Sequence, residues 1–277
     1  MSTIDNLHQL RQWQPPYRPD AIIGEGLLLP GTVMMLFGAG GVWKTMNSTH
    51  LAFCIGRGSK WFDFETSPSA VLMHQSELPK LLMRDRIIKY ADGMNVACDN
   101  VFFKTPEEEV LLDTTWGLQS LTKDIEEIIK RAEPGLPIVV IIDPLNTYMA
   151  GHTSDEFEVR KFQRNINSLR RKFNVTFIIV HHARKRRVDS GGNVVDLGDE
   201  ELMGSGYWKA WLDTIVRVQL TNPYSGADTV HMSFDKHRNA WNFLPGFTVK
   251  WHRENLVPEI IDRDVISDAE PTIRGLT

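Results

Sequence analysis

The sequence predicts an α/β fold: a mostly parallel central sheet flanked by helices, with an antiparallel extension toward the C-terminus. Three observations carry that expectation. Short segments that are apolar on both faces (33–37, 138–142, 175–180) alternate with helical segments, as in a parallel sheet covered on both sides. A glycine-rich loop, Gly38-Ala39-Gly40-Gly41-Val42-Trp43-Lys44-Thr45, joins one such strand to a helix. Beyond Ser205 the alternation stops, and three strand-like segments follow one another through turns.

The first twenty or so residues are polar and interrupted by Pro15-Pro16 and Pro19, so residues 1–20 read as an arm or linker. The domain proper, expected over 21–253, begins near Ala21-Ile22-Ile23. Val33 to Phe37 is a buried strand entering the glycine loop, and Lys44 to Gly56 is the helix leaving it. Ala70-Val71-Leu72-Met73 forms the next strand and runs into His74-Gln75-Ser76-Glu77. A helix follows with Leu81, Leu82, Ile87, Ile88 and Tyr90 as its apolar residues, then a strand at Val101-Phe102-Phe103. Leu118, Leu121, Ile125 and Ile128 recur at helical spacing. Ile138-Val139-Val140-Ile141-Ile142-Asp143 is the clearest strand, five apolar residues ending in an acid. Val159, Phe162, Ile166, Leu169 and Phe173 form one stripe of a helix, with Arg and Lys opposite. Val175 to Val180 is a strand ending at His181-His182. Residues 214–220, 229–236 and 247–251 are the three later strands, and residues 254–277 read as a polar tail.

Composition narrows the function. With 277 residues and 42% hydrophobic content, the chain can bury one large core. Its net charge of -4 excludes a protein coated in basic residues, so any nucleic-acid contact must be a local patch. Cys54 and Cys98 match no metal or redox spacing and read as reduced thiols of a cytoplasmic protein. The polar start lacks the apolar segment of a signal peptide, and no run nears the roughly 18 apolar residues that cross a bilayer, so no membrane association is expected.

The loop at 38–45 fits the phosphate-binding pattern Gly-x-x-x-x-Gly-Lys-Ser/Thr except that Trp43 stands at the second glycine. Backbone N–H groups of such a turn, with the helix N-terminus behind them, surround phosphates. Gly38, Ala39, Gly40, Gly41, Val42, Trp43, Lys44 and Thr45 are therefore the candidate nucleotide-binding residues. Lys44 would reach the β- and γ-phosphates of ATP, and Thr45 would hold Mg²⁺. The indole of Trp43 must turn away from the phosphates. Asp143, an acid at a strand end, completes the nucleotide and metal site. Glu77, just past the end of the strand after the loop helix, is placed to deprotonate an attacking water. In an open parallel sheet, Lys44, Glu77, Asp143 and His181 would gather at the carboxyl edge. Arg184-Lys185-Arg186-Arg187 opens a glycine-containing stretch at that edge and is the candidate contact to a nucleic-acid backbone; the loop from Asn146 to Glu156 is a second. Each reading has a plainer alternative: a solvated basic face, a capping acid, or a glycine turn with a core tryptophan.

Residues 22–251 resemble the RecA-like ATPases of the hexameric replicative helicase family, especially its plasmid RepA-type and DnaB-type members. The matching pieces are the loop at 38–45, Gln-Ser-Glu at 75–77, Ile-Ile-Asp-Pro at 141–144, Val-His-His-Ala-Arg-Lys at 180–185 and Lys-His-Arg-Asn at 236–239. The resemblance implies a RecA-like P-loop NTPase that hydrolyses ATP with Mg²⁺, assembles as a homo-oligomer, expected to be a hexamer, and acts on single-stranded DNA. It further implies that Glu77 is the catalytic base and that His181 or His182 senses the γ-phosphate. Arg238 would be an arginine finger inserted into the neighbouring subunit's site, with Lys236 as its partner. The chain departs from the family at Trp43, and at Met203, where arginine often precedes the Gly-Ser found here as Gly204-Ser205. Its length resembles the compact plasmid or phage helicases, with no room for a primase domain. A filament-forming recombinase, or a regulatory module that scarcely hydrolyses ATP, are the alternative readings.

Overall fold

The computed structural model describes residues 4–12, 21–183, 206–221, 228–240 and 242–265. Its strands are β1 (Val33–Gly38), β2 (Ala70–Gln75), β3 (Val101–Lys104), β4 (Ile138–Asp143), β5 (Thr176–His182), β6 (Thr214–Leu220), β7 (Thr229–His237), β8 (Phe247–His252) and β9 (Val257–Arg263). The helices are α1 (Leu7–Gln12), α2 (Lys44–Arg57), α3 (Lys80–Met94), α4 (Thr115–Arg131), α5 (Glu156–Phe173) and α6 (Gly206–Trp211), with a short 3-10 turn at Leu145–Tyr148. The strands form one sheet in the order β3-β2-β4-β5-β1-β6-β7-β8-β9. From β3 to β6 every pairing is parallel, and from β6 to β9 every pairing is antiparallel. The expected α/β architecture with its antiparallel extension is borne out.

Period-two alternation divides the core into two layers. Met34, Leu36, Val71, Met73, Ile141 and Val180 face one layer with α2 and α3. Val33, Met35, Phe37, Leu72, Ile142 and Ile179 face the other with α4, α5 and α6. Each fully buried side chain of this size contributes about 1.5–3 kcal/mol from area removed from water. Helices α4 and α5 are amphipathic and bury one stripe, Leu121, Ile125 and Ile128 in the first and Val159, Phe162, Ile166 and Leu169 in the second. Thr114 caps α4 by accepting from Gly117 N, and Asp155 caps α5 by accepting from Glu158 N.

Helix α2 has no polar face. Sheet, α3, the Trp61–Phe64 segment and β8 enclose it, so every residue from Met46 to Gly56 is buried, the polar ones included. Ser48 and Thr49 donate to Thr45 O, and Asn47 donates to Trp43 O. His50 is 2.7 Å from the Tyr90 hydroxyl, and burial pushes its pKa down to about 4, so the ring is neutral.

One correction concerns the tail. Residues 257–263, which read as part of a polar tail, form β9 against β8. Pro258 and the outward Glu259, Asp262 and Arg263 suit an edge strand that must resist further pairing, and they hide the strand in the sequence. The turn before β9 reaches α3, where Lys89 Nζ donates to Arg253 O. Helix α1 buries none of its residues. No described helix is long and apolar enough to cross a membrane.

Candidate active site

The parallel register carries the ends of β1, β2, β4 and β5 to one edge of the sheet, where a cleft of about 550 Å³ opens. Gly41, Trp43, Lys44, Thr45, Glu77, Asp143 and His182 line it. Gly38 ends β1 where a Cβ would stand 2.1 Å from Val218 O, so only glycine fits. Gly40 and Gly41 face open space, and Gly41 is left-handed at φ +76°.

Trp43 is the N-cap of α2 and is also left-handed, with φ 63° and ψ 18°. This is the backbone that favours glycine, and a tryptophan there costs roughly 1–2 kcal/mol. The indole lies against Trp251 of β8, ring centroids 5.3 Å apart and planes 3° from parallel, and the Arg253 guanidinium stands 5.8 Å from its ring. Stacking and cation–π contact of this kind contribute about 0.5–1.5 and 0.5–1 kcal/mol, enough to offset the strain. The indole is therefore turned toward the C-terminal ribbon of its own chain, with the loop backbone kept in the glycine conformation.

Lys44 donates from Nζ to Ala39 O. Burial lowers its pKa to about 8 against the opposing pull of Asp143 and Glu77. Asp143 is buried, and desolvation raises its pKa to about 6 although Thr45, Ser48 and Lys44 favour the anion. Ser48 Oγ also lies 3.2 Å from Asp143 Oδ2, so its single hydroxyl hydrogen is shared between that carboxylate and Thr45 O. Among the described residues, no group of three or more His, Cys, Asp or Glu could hold a metal unaided. A carboxylate beside a threonine hydroxyl is the hard, sparse oxygen set that suits Mg²⁺ completed by phosphate oxygens and water.

Glu77 is exposed at the mouth of the cleft, and Gln75 Oε1 accepts from Leu78 N behind it. The two histidines part company. His182 lines the cleft, with its pKa lowered by burial and by Lys44. His181 is buried on the opposite face, 6.3 Å from the Trp208 ring, because successive strand residues point to opposite sides. Of the pair, His182 is the one at the site. Lys236 and Arg238 are also elsewhere. Met34 pairs with Thr214 and Thr214 with His237, which puts them at the opposite sheet edge, roughly 15–20 Å from the loop. There Lys236 Nζ donates to Lys209 O and Leu212 O, and Arg238 donates to Asp213 Oδ1 and Ala210 O. Arg184, Lys185, Arg186 and Arg187, like Met203, lie outside the described residues; the chain enters that segment from Ala183, whose N–H donates to Gly38 O.

Sequence reasoning missed Ser48, one helical turn after Lys44, and Arg86, Lys89 and Leu256, which also line the cleft. The i, i+3 spacing of Arg86 and Lys89 on the helix after Glu77 was the available signal.

Two measurements test this geometry. A polyanion bound at Lys44 favours the charged ammonium, so nucleoside triphosphate binding near pH 8 should take up a proton. Calorimetry in buffers of different ionisation enthalpy should register that uptake, and Lys44→Met should abolish it; affinity should fall as pH rises through this range. Trp43→Gly should change urea stability by no more than about 1 kcal/mol, since lost stacking and lost strain oppose each other. Its nucleotide affinity should stay within several-fold of wild type; an affinity gained only on substitution would mean that the tryptophan blocks the loop.

No curated protein matches the chain in sequence. Among solved structures, a DnaB-like replicative helicase studied with its primase interactions superposes at TM-score 0.60 and 16% identity, over 82% of this chain and 58% of that one. The chain thus spans little more than half of that protein. The ATPase domain of G40P superposes at TM-score 0.56 and 15% identity, covering 84% of this chain and 85% of that domain. At these identities the likeness is one of fold, and the expected RecA-like architecture is borne out. In sequence, residues 5–188, which include every described residue of the cleft except Leu256, match the AAA domain family. The chain belongs to that family.

Proposed function

We propose that this protein is an ATPase that assembles head to tail, as a closed ring of six, and moves along single-stranded DNA in plasmid or phage-type replication. The observation that carries the reading is the separation of the two cationic sets. Lys44 stands in the cleft, whereas Lys236 and Arg238 stand at the opposite edge of the sheet, Arg238 half-exposed. Within one chain they cannot meet the same phosphate. In a head-to-tail contact the far edge of one copy faces the cleft of the next, and repetition of that contact closes a ring or winds a helix.

In such an interface Lys44 and the loop N–H groups hold the phosphates, and Thr45 and Asp143 would hold Mg²⁺, whose charge stabilises the transferring phosphoryl group. Glu77 accepts the proton of the attacking water. His182 stands where it can sense the terminal phosphate, and the neighbour's Arg238, with Lys236, neutralises charge that develops in the transition state. Arg184 to Arg187 are proposed to contact the DNA backbone, one positive charge per phosphate. The left-handed backbone kept at Trp43 supports a loop that still binds phosphate.

Glu77→Gln and Arg238→Ala should each lower DNA-stimulated ATP hydrolysis by at least about 100-fold. Mixing the two inactive variants should restore up to about a quarter of the wild-type rate, because one interface type then combines an intact cleft with an intact finger. Absence of any recovery would contradict the shared site. Electron microscopy with ATP and single-stranded DNA separates a closed ring from an open filament.

A further inference from the structure

Glu77 is the proposed base, yet among the described residues no hydrogen bond or ion pair holds its carboxylate. Its position must come from the backbone on either side. On one side Gln75 folds forward, and its Oε1 accepts from Leu78 N at 3.1 Å, closing a short loop around Ser76 and Glu77. The other restraint comes from the neighbouring strand. Gln75 is in register with Asp143, and beyond that pair Ser76 N donates to Asp143 O at 3.2 Å.

Ser76 Oγ and Thr147 Oγ1 are also hydrogen-bonded. The direction of that bond follows from counting protons. Thr147 has one hydroxyl hydrogen, and it is given to Pro144 O at 2.8 Å. Ser76 must then be the donor, so a chain of bonds runs from Ser76 through Thr147 to the carbonyl that follows Asp143. Tyr148, next in the same turn, buries its hydroxyl beside Ser76. Ser76 does not line the cleft, and neither does Thr147.

We infer that Ser76 and Thr147 are positioning residues for hydrolysis: their hydroxyl bridge fixes Glu77 relative to Asp143, so that base and metal ligand keep one spacing. The inference rests on the proposed role of Glu77. Errors near 1 Å in a reacting group cost about 100-fold in rate. The bridge acts after nucleotide is bound, so it should set kcat and leave KM alone.

The test uses the full chain with saturating single-stranded DNA. Thr147→Val keeps the shape and removes the hydroxyl; it should lower kcat by roughly 10- to 100-fold with KM within about twofold of wild type. Thr147→Ser returns the hydroxyl and should restore kcat. Ser76→Ala should match Thr147→Val, and the double variant should be no worse than either. In a Glu77→Gln background, Thr147→Val should have no further effect. The inference is overturned if Thr147→Val leaves kcat unchanged, if Thr147→Ser fails to restore it, if kcat and KM deteriorate together, or if the effects of the two hydroxyl deletions multiply. A wild-type chain that binds ATP without hydrolysing it would instead sink the catalytic reading beneath the inference.

Discussion

The site depends on one backbone requirement: residue 43 must turn left-handed for α2 to begin with its N–H groups toward the cleft. Glycine meets that requirement without strain. Here a tryptophan meets it, at φ 63°, and the conformation is held from outside the loop by Trp251 and Arg253. The antiparallel ribbon is therefore more than an appendage to the sheet. Its β8 strand supports the start of α2, and the turn after it is bonded to α3 through Lys89. Loop, loop helix and ribbon form one packed unit, and this explains why α2 is buried on every side.

Burial of that helix end sets the electrostatics. Lys44 and Asp143 face each other out of water, and each is pushed toward its neutral form, the lysine to a pKa of about 8 and the aspartate to about 6. Both charged forms are restored by a ligand that brings opposite charge: phosphates for the lysine, a divalent cation for the aspartate. A magnesium–triphosphate complex brings both at once. The same sheet geometry moves the second cationic set away. Because β7 runs antiparallel to β6, its end returns to the amino edge of β1, and Lys236 and Arg238 go with it. In the proposed assembly, the cleft of one copy and the cationic edge of the next would meet as two halves of one site.

Much of this was legible in the sequence, and the gaps have physical causes. The parallel strands announced themselves because strands buried on both faces are apolar throughout, and the 38–45 loop because lysine and threonine kept their offset. Strand β9 stayed hidden because an exposed edge strand with proline and charges looks like a tail. His181 and His182 could not be told apart, since strand alternation decides which one faces the cleft only once the sheet's faces are known. Thr147 gave no signal: a threonine in a turn is ordinary until the neighbouring strand brings Ser76 beside it. The support of Trp43 by Trp251 is a contact between residues 208 positions apart, and no local pattern encodes it.

The central claim is that the cleft is completed by the opposite edge of a second copy. The most direct measurement is a cryo-electron microscopy structure of the protein with a non-hydrolysable ATP analogue and single-stranded DNA. The account predicts Arg238 of one subunit within hydrogen-bonding distance of the terminal phosphate held by Lys44 of the next. An analogue bound in the cleft while Arg238 remains on Asp213 and Ala210, facing solvent, would contradict it.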